Sequence, residues 1–157
     1  MNTLKLNLEV IKDNEITTGG KEKRYDFTIK KSSNILAPIS LGELIDKITI
    51  LEIKILHMTG KKLKNVEKEL KLLKDIIQVN NLEIDLDLIK DLKQVNNSLW
   101  NIEDSIRIKE SQKEFDTEFI LLARSVYKEN DRRSNIKKEI NKRYNSDLIE
   151  EKSYDKY

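Results

Sequence analysis

Glu52, Glu103, Glu110, Asn130, Arg133 and Lys137 are polar side chains placed where apolar ones are expected. Set out at about 100° per residue, Glu52 falls in the stripe of Ile48 and Ile55, and Glu103 and Glu110 in the stripe of Leu99 and Ile106. Further along, Phe119, Leu122, Ala123 and Val126 continue into Asn130, Arg133 and Lys137 before Ile140 restores the apolar face. Isolated buried charge is expensive, so these groups should meet one another or a ligand. One reading is a salt-bridge network that fixes helix register. The other is a polar cleft for a small anionic metabolite, such as a sugar phosphate or nucleotide, with Arg107 at its edge. Glu103 and Arg133 suit the structural pair; Arg107 and Lys137 suit ligand contacts. In an antiparallel hairpin turning near Phe115, Glu103 lies opposite Val126, with Asn130 one turn further on. Arg133 then stands at the level of Asn96, within reach of Glu103 or Glu52.

Familiar catalytic constellations are missing. The chain has no cysteine and a single histidine, which excludes disulfides, thiol catalysis and thiolate metal sites. A Ser-His-Asp triad would need His57, and nothing places a nucleophile beside it. His57 instead reads as a helix-end residue. Gly19-Gly20 lacks the Lys-Ser/Thr that completes a phosphate loop. No Glu stands three residues before His57, so the Glu-x-x-His di-iron signature is absent. A carboxylate-only Mg²⁺ site is the one metal chemistry left open; no resident metal or cofactor is expected. Arg132-Arg133 is a weak phosphate-clamp signal, and Trp100 reads as a core residue.

The elements that must position these groups are mainly helical. The 157 residues suffice for one domain with its own core. Charged residues make up 37% and only four Gly and one Pro occur, the profile of long solvated helices. A capping box at Ser40 and Glu43, flanked by Ile39 and Leu44 as a hydrophobic staple, starts the first helix. It runs to about Thr59, with Gly60 as its stop. A second helix covers roughly 61–79 and is broken by Asn80-Asn81. A third covers roughly 85–112. Asp116 caps a fourth, stapled by Phe115 and Ile120, that runs to about Tyr144. Apolar steps of three and four, the spacing of coiled-coil seams, predict an antiparallel bundle of four helices. The first helix is apolar on two sides, because Ile50 and Ile53 oppose the stripe of Leu44, Ile48 and Leu51. Either it lies at the centre, or Ile50 and Ile53 make an oligomer contact.

Ahead of the bundle, alternation at Leu4, Leu6, Leu8 and Val10, and at Tyr25, Phe27 and Ile29, predicts a β-hairpin-like arm over 1–35. The bundle then occupies 36–145 and a charged tail 146–157. Net charge is +2, which indicates no nucleic-acid partner. No apolar run reaches a membrane span and no signal peptide is visible, so the expectation is a cytoplasmic protein. A homo-oligomer is expected, and a protein partner is a further option.

Three strings carry a resemblance: Ser40-Leu-Gly-Glu-Leu-Ile-Asp-Lys-Ile-Thr-Ile-Leu-Glu-Ile-Lys54, Leu99-Trp-Asn-Ile-Glu-Asp-Ser-Ile-Arg-Ile-Lys-Glu110, and Phe119-Ile-Leu-Leu-Ala-Arg-Ser-Val-Tyr-Lys-Glu-Asn-Asp-Arg-Arg133. With Glu150-Glu-Lys-Ser-Tyr154, they resemble an uncharacterised bacterial and phage domain-of-unknown-function family over about residues 37–154. The resemblance implies a helical accessory protein linked to surface-polysaccharide metabolism and no assigned activity. Two enzyme families compare poorly. Chorismate mutases line a helical bundle with Arg and Lys, but the first helix here has no Arg. Helical nucleotide pyrophosphatases pair Glu-x-x-Glu with Glu-x-x-Asp; Glu43-x-x-Asp46 is one half, off the main apolar stripe.

Overall fold

The computed structural model describes residues 37–153. The expected N-terminal arm lies outside the described residues. Four helices follow in order: α1 (Leu41–His57), α2 (Gly60–Val79), α3 (Leu86–Gln112) and α4 (Thr117–Arg143). No strand occurs among the described residues, and no described helix is long and apolar enough to cross a membrane.

Local chemistry explains the boundaries. Asp85 caps α3 by accepting from the Asp87 N–H at 2.9 Å, and Asp116 caps α4 by accepting from the Phe119 N–H at 2.9 Å. The bond from the Phe119 N–H, then the Lys109 ammonium, holds the Asp116 carboxyl below its usual range. α2, α3 and α4 each end with a residue in the left-handed region, namely Asn81, Lys113 and Asn145. Paired bonds accompany each: Leu82 N–H to Ile77 C=O with Asn81 N–H to Gln78 C=O, and their equivalents after α3 and α4. These are Schellman closures made without glycine. Gly60, expected to stop the first helix, instead opens α2 at φ +60°; α1 has already ended at His57. Phe115, expected to staple Ile120, packs edge-to-face on Phe119 at 5.2 Å between ring centroids.

α1 is the hub. It packs against α2, α3 and α4, whereas α2 packs on α1 alone and α3 packs along α4. The two halves are therefore not a simple sequential bundle, because α2 and α3 are chain neighbours that do not pack together. The core joins Leu44, Ile45, Ile48 and Leu51 of α1 to Val66 and Leu70 of α2, Leu88 and Leu92 of α3, and Ile140 of α4. Burial of such apolar surface is the main stabilising term. α3 and α4 run antiparallel: Tyr144, after α4, accepts from the Asp85 N–H at 2.7 Å, and Arg143 pairs with Asp85 at 2.6 Å. At 27 residues each, they outrun the 17-residue α1 by about 15 Å.

The opposite face of α1 is used within the chain. Ile53 is 1% exposed and Ile50 is half-buried. α1 takes the central position, and the other helices of the chain cover most of the face that carries Ile53.

Candidate functional site

The face of α1 that carries Ile53 also carries Gly42, Asp46 and Thr49, at helical spacing. All four are buried. Asp46 is 1% exposed and accepts from Arg133 twice, from Nε at 2.9 Å and from Nη2 at 2.5 Å. This is the bidentate fork that a guanidinium makes best. Asn96 of α3 donates to Asp46 at 2.9 Å and to Thr49 Oγ1 at 2.9 Å, and Thr49 Oγ1 donates to the Asp46 carbonyl at 2.8 Å. One carboxylate thus ties three helices together. The bond to Asp46 raises the Arg133 pKa further, against the opposing effect of burial.

Two more rungs continue along α4 at four-residue steps. Lys137, 7% exposed, donates to Glu43 at 2.5 Å and to Glu150 at 2.7 Å. Burial opposes its ammonium, but Glu150 and Glu43 outweigh burial and raise its pKa. Asn141 Oδ1 accepts from the Gly42 N–H at 2.6 Å. The Leu41 N–H reaches Ser146 Oγ at 3.2 Å and the Glu43 N–H reaches Ser40 Oγ at 3.2 Å. The first-turn N–H groups of a buried helix end need such partners, and here residues in and after α4 supply two of them. The Glu43 carboxylate, expected to complete a capping box, is engaged by Lys137 instead. Glu43 and Asp46 therefore each hold a cationic side chain, which leaves neither free to act as half of a Mg²⁺ site.

Beside the Asp46–Arg133 pair a cleft of about 480 Å³ opens between α1, α3 and α4. Ile50, Ile53, Leu99 and Trp100 form its apolar wall; Asn96, Asn130 and Arg133 its polar floor; Glu103, Asp104 and Arg107 its rim. Asn130 donates to the Val126 carbonyl at 3.0 Å and accepts weakly from Arg133 at 3.4 Å. Glu103 pairs with Arg107 on its own helix at 2.7 Å. His57 stacks on Trp100 with centroids 4.7 Å apart and planes 22° from parallel. The indole N–H is buried without an acceptor.

The cleft thus gathers Glu103, Arg107, Asn130 and Arg133, together with Ile50 and Ile53. Three other candidates lie elsewhere. Glu110 is exposed. Lys137 is buried in the ladder just described. Glu52 faces the opposite side of α1, held by Lys74 of α2 at 2.7 Å and Lys93 of α3 at 2.8 Å. The expected reach of Arg133 to Glu103 or Glu52 is replaced by its pairing with Asp46. Thr49 and Asn141 were not singled out from the sequence, and Asp46 and Asn96 entered it only as half of a Glu-x-x-Asp pair and as a register mark for Arg133. Their signal lay in the second face of α1, where Asp46 and Thr49 share a stripe with Ile50 and Ile53, and in the Asn neighbours of Val95 and Ile140.

Burial pushes the Glu52 carboxyl up, but Lys74 and Lys93 outweigh burial and hold it below its ordinary value of 4.5. The Lys137 ammonium likewise holds Glu150 below 4.5. A carboxyl depressed in the folded state stabilises above its unfolded pKa, and that stability is lost as pH falls through the folded pKa. Melting temperatures followed downward from neutral pH should therefore fall most steeply below 4.5. Glu52→Gln and Glu150→Gln should each flatten that acid limb. An unchanged limb in both variants would show that these pairs are solvated.

Taken together, these features define, among the described residues, an α-helical protein with a hub helix, a buried polar ladder and a charge-lined cleft beside it. Residues 35–157 match the family of unknown function DUF6165, and the chain belongs to that family. No curated protein and no solved structure matches it.

Proposed function

We propose that this chain is a non-catalytic helical assembly protein that pairs with a second copy through the far end of the α3–α4 hairpin. The supporting observation is the lack of burial there. From Trp100 to Gln112 of α3, and from Thr117 to Ile136 of α4, no residue is buried. Ile102, Ile106, Leu122 and Val126 are only half-covered along the hairpin seam. Ile108, Phe115, Ile120 and Leu121 are more than half exposed. A two-helix hairpin has one seam and no second layer to cover it, and two such hairpins close into a four-helix bundle with two-fold symmetry. Charged residues border the seam and keep it soluble until it is paired. At the tip, Lys109 gathers Glu114, Asp116 and Glu118 within 3.0 Å, and these bonds raise its pKa. The same reading includes a cytoplasmic accessory role beside surface-polysaccharide metabolism in bacteria or phage, suggested by the motif resemblance.

Light scattering should give a dimer at micromolar concentration. Leu121→Glu places a charge on the exposed seam and should return the monomer while leaving the hub core intact. A native chain that stays monomeric at high micromolar concentration would sink the proposal.

A further inference from the structure

We propose that the cleft between α1, α3 and α4 binds a small organic ammonium compound. The argument begins with charge. Two arginines line the cleft, and each is already matched: Arg133 by Asp46 and Arg107 by Glu103. Asp104 also lines the cleft, and no cation pairs with it among the described residues. Counting Arg107 and Arg133 against Glu103, Asp104 and Asp46, the site is one negative charge in excess. A phosphate or other polyanion would have to displace a formed ion pair to bind. A single cation is matched without displacing anything.

The neighbours of Asp104 fit that ion. Trp100 precedes Asp104 by one helical turn, so both face the same side of α3. An ammonium group between an indole ring and a carboxylate gains cation–π and Coulomb attraction together. His57 stacks on the indole and holds its plane. Ile50, Ile53 and Leu99 offer an apolar wall for an alkyl body. Asn130 and Arg133 line the floor beside it. The cleft volume lies within the range of small-molecule sites.

Trp100 is the sole tryptophan of the chain, so its emission reports the cleft directly. The test titrates the full chain with aminohexanol, hexanediol and hydroxyhexanoate, three probes of matched length that differ in one end group. Aminohexanol should shift or quench the emission saturably, and the neutral and anionic probes should not do so over the same range. Asp104 is exposed, so Asp104→Asn should keep its melting temperature while the Kd for aminohexanol rises by about tenfold, the loss of one favourable charge contact. The proposal is overturned if aminohexanol gives no saturable response, if hexanediol or hydroxyhexanoate titrates equally well, or if Asp104→Asn binds as the native chain does.

Discussion

Arg133→Met is expected to destabilise the fold by about 3–5 kcal/mol, the cost of leaving a buried carboxylate without its cation. Asp46 is 1% exposed and would keep only the Asn96 amide and its own local contacts. Arg133 is itself about a quarter exposed, at 27% of its side chain, which favours the lower end of that range. Replacing both partners, as Arg133→Met with Asp46→Leu, removes the orphaned charge and should recover more than half of the loss. Asn96 can still donate to Thr49 in that double variant. Urea unfolding of the native chain, the two single variants and the double variant completes the cycle. A single-variant loss under about 1 kcal/mol would place the pair among solvated surface bridges. A neutral or stabilising Arg133→Met would instead indicate an arginine held in reserve for an anion.

Much of this architecture was legible in the sequence. Caps are local chemistry, so Ser40 and Asp116 mark helix starts by residue type alone, and the four helices fall close to where period, caps and breaks place them. The pairing of charges was less legible, for a physical reason. A helical wheel gives the direction of a side chain but not how far along the axis a neighbouring helix extends. Glu103 and Glu110 do point along the stripe of Leu99 and Ile106, yet α1 ends at His57, level with Trp100 through their stacked rings. Beyond that level an inward direction leads to a half-open seam, where a carboxylate still reaches water. Asp46 shows the converse. It lies off the main stripe of α1, so it reads as solvated until the second face is recognised as the one packed on α3 and α4. Ile50 and Ile53 pointed to that face, and their spacing from Asp46 and Thr49 would have extended it. Glu52 illustrates a third limit: its direction was inward, but the partners Lys74 and Lys93 come from helices whose relative placement no periodicity supplies.

Gly42→Ala is expected to cost about 2–3 kcal/mol, even though alanine is the better helix former. Two effects oppose one another. Alanine inside a helix gains up to about 1 kcal/mol over glycine, and less at the second position of α1, where part of the helical constraint is absent. Against this, a Cβ at Gly42 would lie 2.5 Å from the Lys137 carbonyl oxygen, 3.0 Å from its carbonyl carbon and 2.9 Å from Asn141 Oδ1. The nearest of these atoms belong to the α4 backbone, which cannot rotate aside as a flexible side chain could. Relief requires α1 and α4 to separate. Separation lengthens the Gly42 N–H to Asn141 bond of 2.6 Å and the Leu41 N–H to Ser146 bond of 3.2 Å. A buried N–H left without an acceptor costs about 1–3 kcal/mol, so the steric and capping losses outweigh the propensity gain. Denaturant unfolding should show the loss, and amide exchange at Leu41 and Gly42 should quicken relative to the core of α3. An alanine variant as stable as the native chain would mean that α1 and α4 do not touch at this crossing, and the ladder of Asp46–Arg133, Glu43–Lys137 and Gly42–Asn141 contacts would fall with it.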